Sequence, residues 1–141
     1  MASAMAIGEA ARQSGVKVAT IRYYEQIGLL AAPQRTDGNR RQYGPEDVRR
    51  LAFIRHGREL GFEVDAIRTL LTLQDDPNQT CETADAIAKA RLVEVEQRIA
   101  SLTALKVELE VMIEGCSRGR LAECRVIGVL ADHGRCLHQK H

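Results

Sequence analysis

Cysteine is the residue type in this chain best suited to chemistry, and three of its four copies sit at informative places: Cys81, Cys116 and Cys124. Thiolates are soft donors, and a small cluster of them selects zinc, cadmium, lead, mercury or copper(I) over hard cations. Cys116 and Cys124 bracket the segment CSRGRLAEC, which by itself suits a disulfide loop, half of a structural zinc site or a metal-sensing loop. The fourth cysteine lies in the tail DHGRCLHQKH, where His133, Cys136, His138 and His141 are further donors. His133 and Cys136 fall one helical turn apart if RVIGVLADH is helical. The tail could complete a first site, build a second or stand aside. Ser14, Ser101 and Ser117 have no evident base partner and the histidines gather in the tail, so no enzyme is expected.

The rest of the composition narrows the setting. At 141 residues the chain fits one domain, or a small domain with an extension, and at 4% aromatic content without tryptophan a large ring-built core is excluded. Residues 1–60 hold 10 Arg or Lys against 6 acids, residues 61–115 hold 5 against 11, and residues 116–141 hold 5 against 2. An arginine-rich start followed by an acidic middle suits a nucleic-acid-binding module joined to a solvated helix. No stretch approaches the ~20 apolar residues of a membrane helix, and MASAMAIGEA lacks the basic start and apolar run of a signal peptide. A cytoplasmic protein with no membrane partner is expected. In that compartment cysteines serve more often as metal ligands or reactive thiols than as disulfides.

Several elements must position those cysteines. Ile7, Ala10 and Ala11 are spaced as one face of a short helix broken at Ser14-Gly15, and a second helix runs from about Lys17 to Gln26, closed by Gly28. Such a pair describes a helix-turn-helix, with Val18, Ile21 and Tyr24 inward and Thr20, Arg22 and Tyr23 outward. Pro33 then stops helix formation, and in RTDGNRRQY the Asp37-Gly38 step signals a hairpin between short polar strands. With little to bury and with Arg35, Arg40 and Arg41 in hand, that hairpin reads as a wing on a phosphate backbone. Pro45, followed by Glu46 and Asp47, opens another helix that carries Val48, Leu51, Ala52, Ile54 and Arg55 on to Gly57. After a break at Leu60-Gly61-Phe62, Val64 to Leu71 form a short amphipathic helix ending before Asp75-Asp76-Pro77.

A last, long helix begins near Thr80. Leu92, Val95, Ile99, Leu102, Leu109, Ile113 and Cys116 recur with coiled-coil spacing, interrupted at Lys106 with Leu105 beside it to cover the gap. A helix of ~35 residues extends ~50 Å and cannot bury such a stripe against a small module. A second copy of the chain is the simplest partner, so a homodimer is expected.

IGEAARQSGVKVATIRYYEQIGLL, RTDGNRRQY, DVRRLAFIRHGRELGF and the long helix ending in a cysteine loop together closely resemble the MerR family of transcriptional regulators. The resemblance spans residues 5–125 and implies a mainly α fold. Its parts would be a winged helix-turn-helix DNA-binding domain (1–78), an antiparallel coiled-coil dimerisation helix (79–115) and a C-terminal metal-binding loop and tail (116–141). It also implies action on promoter double-stranded DNA, whose overlong spacer the inducer-bound dimer distorts so that RNA polymerase can use it. Thr20, Arg22 and Tyr23 then lie on the recognition helix, Arg35 and Arg41 match phosphate-contacting wing arginines, and Arg55 matches a backbone-contacting position. Arg40 stands where many relatives carry tyrosine, which adds a candidate phosphate contact.

An antiparallel dimer also brings the start of one long helix to the end of the other. Cys81 then approaches Cys116 and Cys124 of the partner subunit, giving two three-thiolate sites per dimer, with Cys81 at a helix end that favours an anionic ligand. Copper(I) sensors of the family resemble this chain in loop length but place serine where Cys81 stands; its divalent sensors carry cysteine there. An additional anionic ligand suits a dication, so zinc, cadmium, lead or mercury is the expected effector and copper(I) the alternative. The loop has too few cysteines for an iron–sulfur sensor, and the tail is too short for a drug-binding domain. A metal-buffering thiol protein is the alternative from a different class, and it leaves TIRYYEQ and the wing unexplained.

Overall fold

The computed structural model describes residues 4–115 and 124–132. Its elements are α1 (Ile7–Ser14), α2 (Val18–Gln26), β1 (Gln34–Arg35), β2 (Arg41–Gln42), α3 (Pro45–Glu59), α4 (Val64–Gln74), α5 (Glu82–Gly115) and α6 (Arg125–Ala131). The fold is therefore mainly α, with a winged helix-turn-helix followed by one long helix, as the sequence leads one to expect. Two compact units are present, Met1–Ile87 and Ala88–His141. No helix among the described residues is long and apolar enough to cross a membrane.

In the first unit, α1 stops where Gly15 takes the left-handed conformation at φ 76° and returns its N–H to Ala11 O. A side chain there would be strained, and its Cβ would lie 3.0 Å from Arg55 Nε. Ser14 is buried, and its Oγ accepts the Val16 N–H at 3.2 Å, which sets the tight turn into α2. Ile21 and Tyr24 point inward from α2 as the spacing predicts, meeting Ala10, Val16, Leu29, Leu30, Tyr43, Leu51, Ile54, Ile67 and Leu71 in one core.

α3 begins at Pro45, with the Gly44 N–H donating to Asp47 Oδ2 at 2.8 Å. It runs through Gly57 to Glu59, past the end expected from the sequence. Gly57 is a point of close approach instead: a Cβ there would sit 3.1 Å from the Ile67 side chain of α4. Arg50 Nε donates to Leu29 O at 3.0 Å, and its guanidinium reaches Asp75 at 3.3 Å, which fixes the chain after α2 and the end of α4 to α3.

The wing is minimal. Gln34 pairs with Gln42 and Arg35 with Arg41. The Asp37-Gly38 turn forms as expected, but the left-handed position falls on Asn39 at φ 63°, a residue type that tolerates it. Thr36 closes the loop through its N–H to Arg40 O and through its Oγ1, which accepts the Arg40 N–H. At the base of the ribbon Met5 and Tyr43 exchange both backbone hydrogen bonds at 2.8 Å.

α5 is a single helix of 34 residues, about 50 Å long at ~1.5 Å per residue. The expected seam lies open along the chain: Leu92, Ile99, Leu102, Leu109 and Ile113 are 47–68% exposed. Leu105 is half-buried while Leu102 and Leu109 are exposed, and Glu108, Met112 and Val129 of α6 are buried in the second unit.

Candidate DNA-binding face and metal-ligand cysteines

The sequence-predicted DNA contacts gather into two concave surfaces on the first unit. Arg22 of α2 shares one with Arg35, Asn39, Arg40 and Arg41 of the wing. Thr20 shares the other with Lys17, Arg55 and Arg58. Tyr23 stands exposed on α2 with its ring 6.1 Å from that of Tyr24, which is buried. Arginines and lysines in such an arrangement neutralise phosphates and set register without reading sequence. Lys17 and Arg58 were not among the residues picked out from the sequence, because nothing in their spacing marks them. The helix-turn-helix geometry brings them beside Thr20.

Four of these arginines are held by the chain. Arg55 Nε donates to Ser14 O at 3.0 Å and its Nη1 pairs with Glu59 at 2.9 Å, so the guanidinium is fixed over the turn between α1 and α2. Arg58 Nη1 donates to Phe62 O at 2.8 Å. Arg35 Nη1 donates to Asn39 O at 3.1 Å within the wing. Arg41 Nε donates to Glu25 Oε2 at 3.2 Å, and the other Glu25 oxygen accepts from the Tyr43 hydroxyl. Burial, and then this bond to the Glu25 carboxylate, push the Tyr43 phenol well above its ordinary pKa, so at neutral pH it stays a donor.

The two described cysteines sit at helix starts. Cys81 is an exposed free thiol, and its carbonyl accepts the Asp85 N–H at 2.9 Å, which makes it the N-cap of α5. Cys124 is the N-cap of α6 and carries its sulfur in a disulfide, a form that must be reduced before the sulfur can bind a metal. Cys116, His133, Cys136, His138 and His141 lie outside the described residues. Among the described residues of a single chain, no three Cys, His, Asp or Glu side chains converge. The donor chemistry itself fits a soft ion: Cys81 offers an accessible sulfur at the positive end of a long helix.

Comparison with known proteins turns this face into a family. The MerR HTH family regulatory protein profile matches residues 5–74, and the profile described as MerR, DNA binding matches residues 48–112. The HTH-type transcriptional regulator ZntR of Escherichia coli strain K12 is 42% identical over 111 residues, covering 78% of this chain and 79% of that protein. The chain belongs to the MerR family. A second relative, heavy metal-dependent transcription regulator 2 of Rhizobium meliloti strain 1021, is 38% identical over 91% of this chain and 87% of its own length. Among solved structures, the transcription regulator PbrR691 from Ralstonia metallidurans CH34 in complex with lead(II) superposes with a TM-score of 0.77 at 36% identity, covering 89% of this chain and 98% of that one. As a MerR-family protein the chain is a DNA-binding transcriptional regulator and not an enzyme.

Proposed function

We propose that this protein is a homodimeric regulator that senses a soft divalent metal ion and activates a metal efflux or resistance promoter by distorting its spacer DNA. The observation that carries the metal reading is the exposed thiol of Cys81 at the N-cap of α5. In an antiparallel dimer, Cys81 of one protomer stands with Cys116 and Cys124 of the partner subunit as a three-sulfur site. Relatives named for heavy-metal dependence and for lead(II) support a metal effector. Bound metal supplies a link between the sulfur donors of two protomers. The residues of the chain do the rest: Thr20, Arg22 and Tyr23 meet the duplex from α2, while Arg35, Arg40, Arg41 and Arg55 anchor phosphates.

An anchored wing and recognition helix transmit a change in the dimer to the bend and twist of the spacer, a readout that needs few base contacts. RNA polymerase is the partner that uses the reshaped promoter. A dication is favoured over copper(I), because linear copper(I) needs only two sulfurs and Cys81 supplies a third anionic donor. The test is transcription in vitro from the cognate promoter under reducing conditions, with zinc, cadmium, lead, mercury and copper(I) compared. One or more divalent ions should activate. Cys81→Ser should abolish that activation while leaving promoter affinity within about twofold of wild type, as surface changes far from an interface do. Activation by copper(I) alone, undiminished in Cys81→Ser, would overturn the divalent assignment.

A further inference from the structure

A carboxylate on the recognition helix of a DNA-binding protein is a liability, since it repels the phosphates its neighbours attract. Glu25 is such a carboxylate. It occupies the last turn of α2, its side chain is 9% exposed, and its two oxygens serve the wing: Oε2 accepts from Arg41 Nε at 3.2 Å and Oε1 from the Tyr43 hydroxyl. The wing has little else to hold it. Each of its strands is two residues long, and Arg35 stands directly opposite Arg41, a like-charge pair that favours splaying. Arg41 donates to Glu25 through Nε alone, with its side chain 30% exposed in the concavity it shares with Arg22, Arg35 and Arg40. A guanidinium bound through Nε keeps its terminal nitrogens for a second anion in a fixed plane, which a lysine ammonium cannot do.

We propose that Glu25 is a positioning residue for DNA binding, holding the wing against the recognition helix and orienting the Arg41 guanidinium so that its terminal nitrogens meet a phosphate. The proposal rests on the assignment of Arg41 to the DNA backbone and adds that an acidic residue is required for that contact. Charge alone makes the opposite forecast. Glu25→Gln removes a negative charge from a DNA-facing surface and releases a cation, so simple electrostatics makes it bind more tightly.

The test uses the full-length protein and a random-sequence duplex, because phosphate contacts do not depend on sequence. Affinity is measured across a salt series for wild type, Glu25→Gln, Arg41→Ala, the double variant and Arg41→Lys, with the folding of each checked by its thermal transition. Arg41→Ala should weaken binding roughly three- to tenfold and lower the salt slope by about 0.9 per protomer, the loss of one phosphate. Glu25→Gln should do nearly the same, and the loss in the double variant should fall well short of the sum of the two single losses. Arg41→Lys, which keeps the charge and leaves the buried groups intact, should fail to restore the wild-type slope. Wild-type or tighter binding by Glu25→Gln, additive losses in the double variant, or full function in Arg41→Lys would each overturn the proposal. An unchanged slope in Arg41→Ala would overturn it too, by removing Arg41 from the phosphate contacts.

Discussion

At the scale of single residues, Tyr43 joins three roles. Its ring is buried in the core, its backbone pairs with Met5, and its hydroxyl reaches Glu25 across the base of the wing. The neutral phenol is the favoured form in the folded protein, because burial and the neighbouring carboxylate push its pKa upward. The sign of the pH effect follows. An unfolded tyrosine titrates near pH ~10, so this stabilisation is fully present below that value and is lost as pH rises beyond it. Tyr43→Phe should flatten the alkaline side of a stability–pH profile measured by denaturant unfolding. At neutral pH it should cost about 1–3 kcal/mol, because Glu25 loses a donor in a nearly closed site. A profile with the same alkaline fall in both proteins would remove Tyr43 as its cause. Sequence pattern marked Thr20, Arg22, Tyr23 and the wing arginines as outward-facing, since helical spacing and polarity suffice for that. It did not mark Glu25, whose importance depends on a neighbour eighteen positions later meeting it in space. Nor does it bring Lys17 and Arg58 together with Thr20, since each is an unremarkable surface cation until the turn folds.

At the scale of elements, the apolar residues of α5 have different fates. Leu105 is half-buried and Met112 buried, and so is Glu108 at 2% exposure, which a polarity pattern assigns to solvent. Leu92, Ile99, Leu102, Leu109 and Ile113 lie in the open. A three-and-four spacing reveals that an apolar stripe exists, and it correctly gave the long helix. It does not reveal which of its positions the chain's own residues cover, as the buried Glu108 shows. Fully burying a leucine is worth ~1.5–3 kcal/mol, and a twofold interface counts each position twice. Leu102→Glu with Leu109→Glu should therefore weaken dimerisation by several kcal/mol, roughly a hundredfold or more, shifting the protein to monomer at micromolar concentration in sedimentation experiments. A stable dimer in this variant would place the interface elsewhere.

At the scale of the whole molecule, the proposed site joins a thiol at one end of a long helix to Cys116 and Cys124. Cys81 precedes α5 in the sequence and Cys116 and Cys124 follow it, and a helix of 34 residues is about 50 Å long. A shared metal therefore requires two chains running in opposite directions. The disulfide at Cys124 adds a condition, namely that sensing needs reduced sulfur. The sequence was enough to nominate the three cysteines and to draw the arrangement, because helix length is a matter of counting residues. Neither sequence nor a single chain brings them together, since the site is expected to form only between protomers. The most direct measurement pairs two crippled chains. Heterodimers of Cys81→Ser and Cys116→Ser, purified with separate tags under reducing conditions, are assayed for bound lead(II) by equilibrium dialysis. Each homodimer variant should lose tight binding, and the heterodimer should regain one ion where the wild-type dimer holds two. A heterodimer that binds no better than either parent would contradict the cross-protomer site.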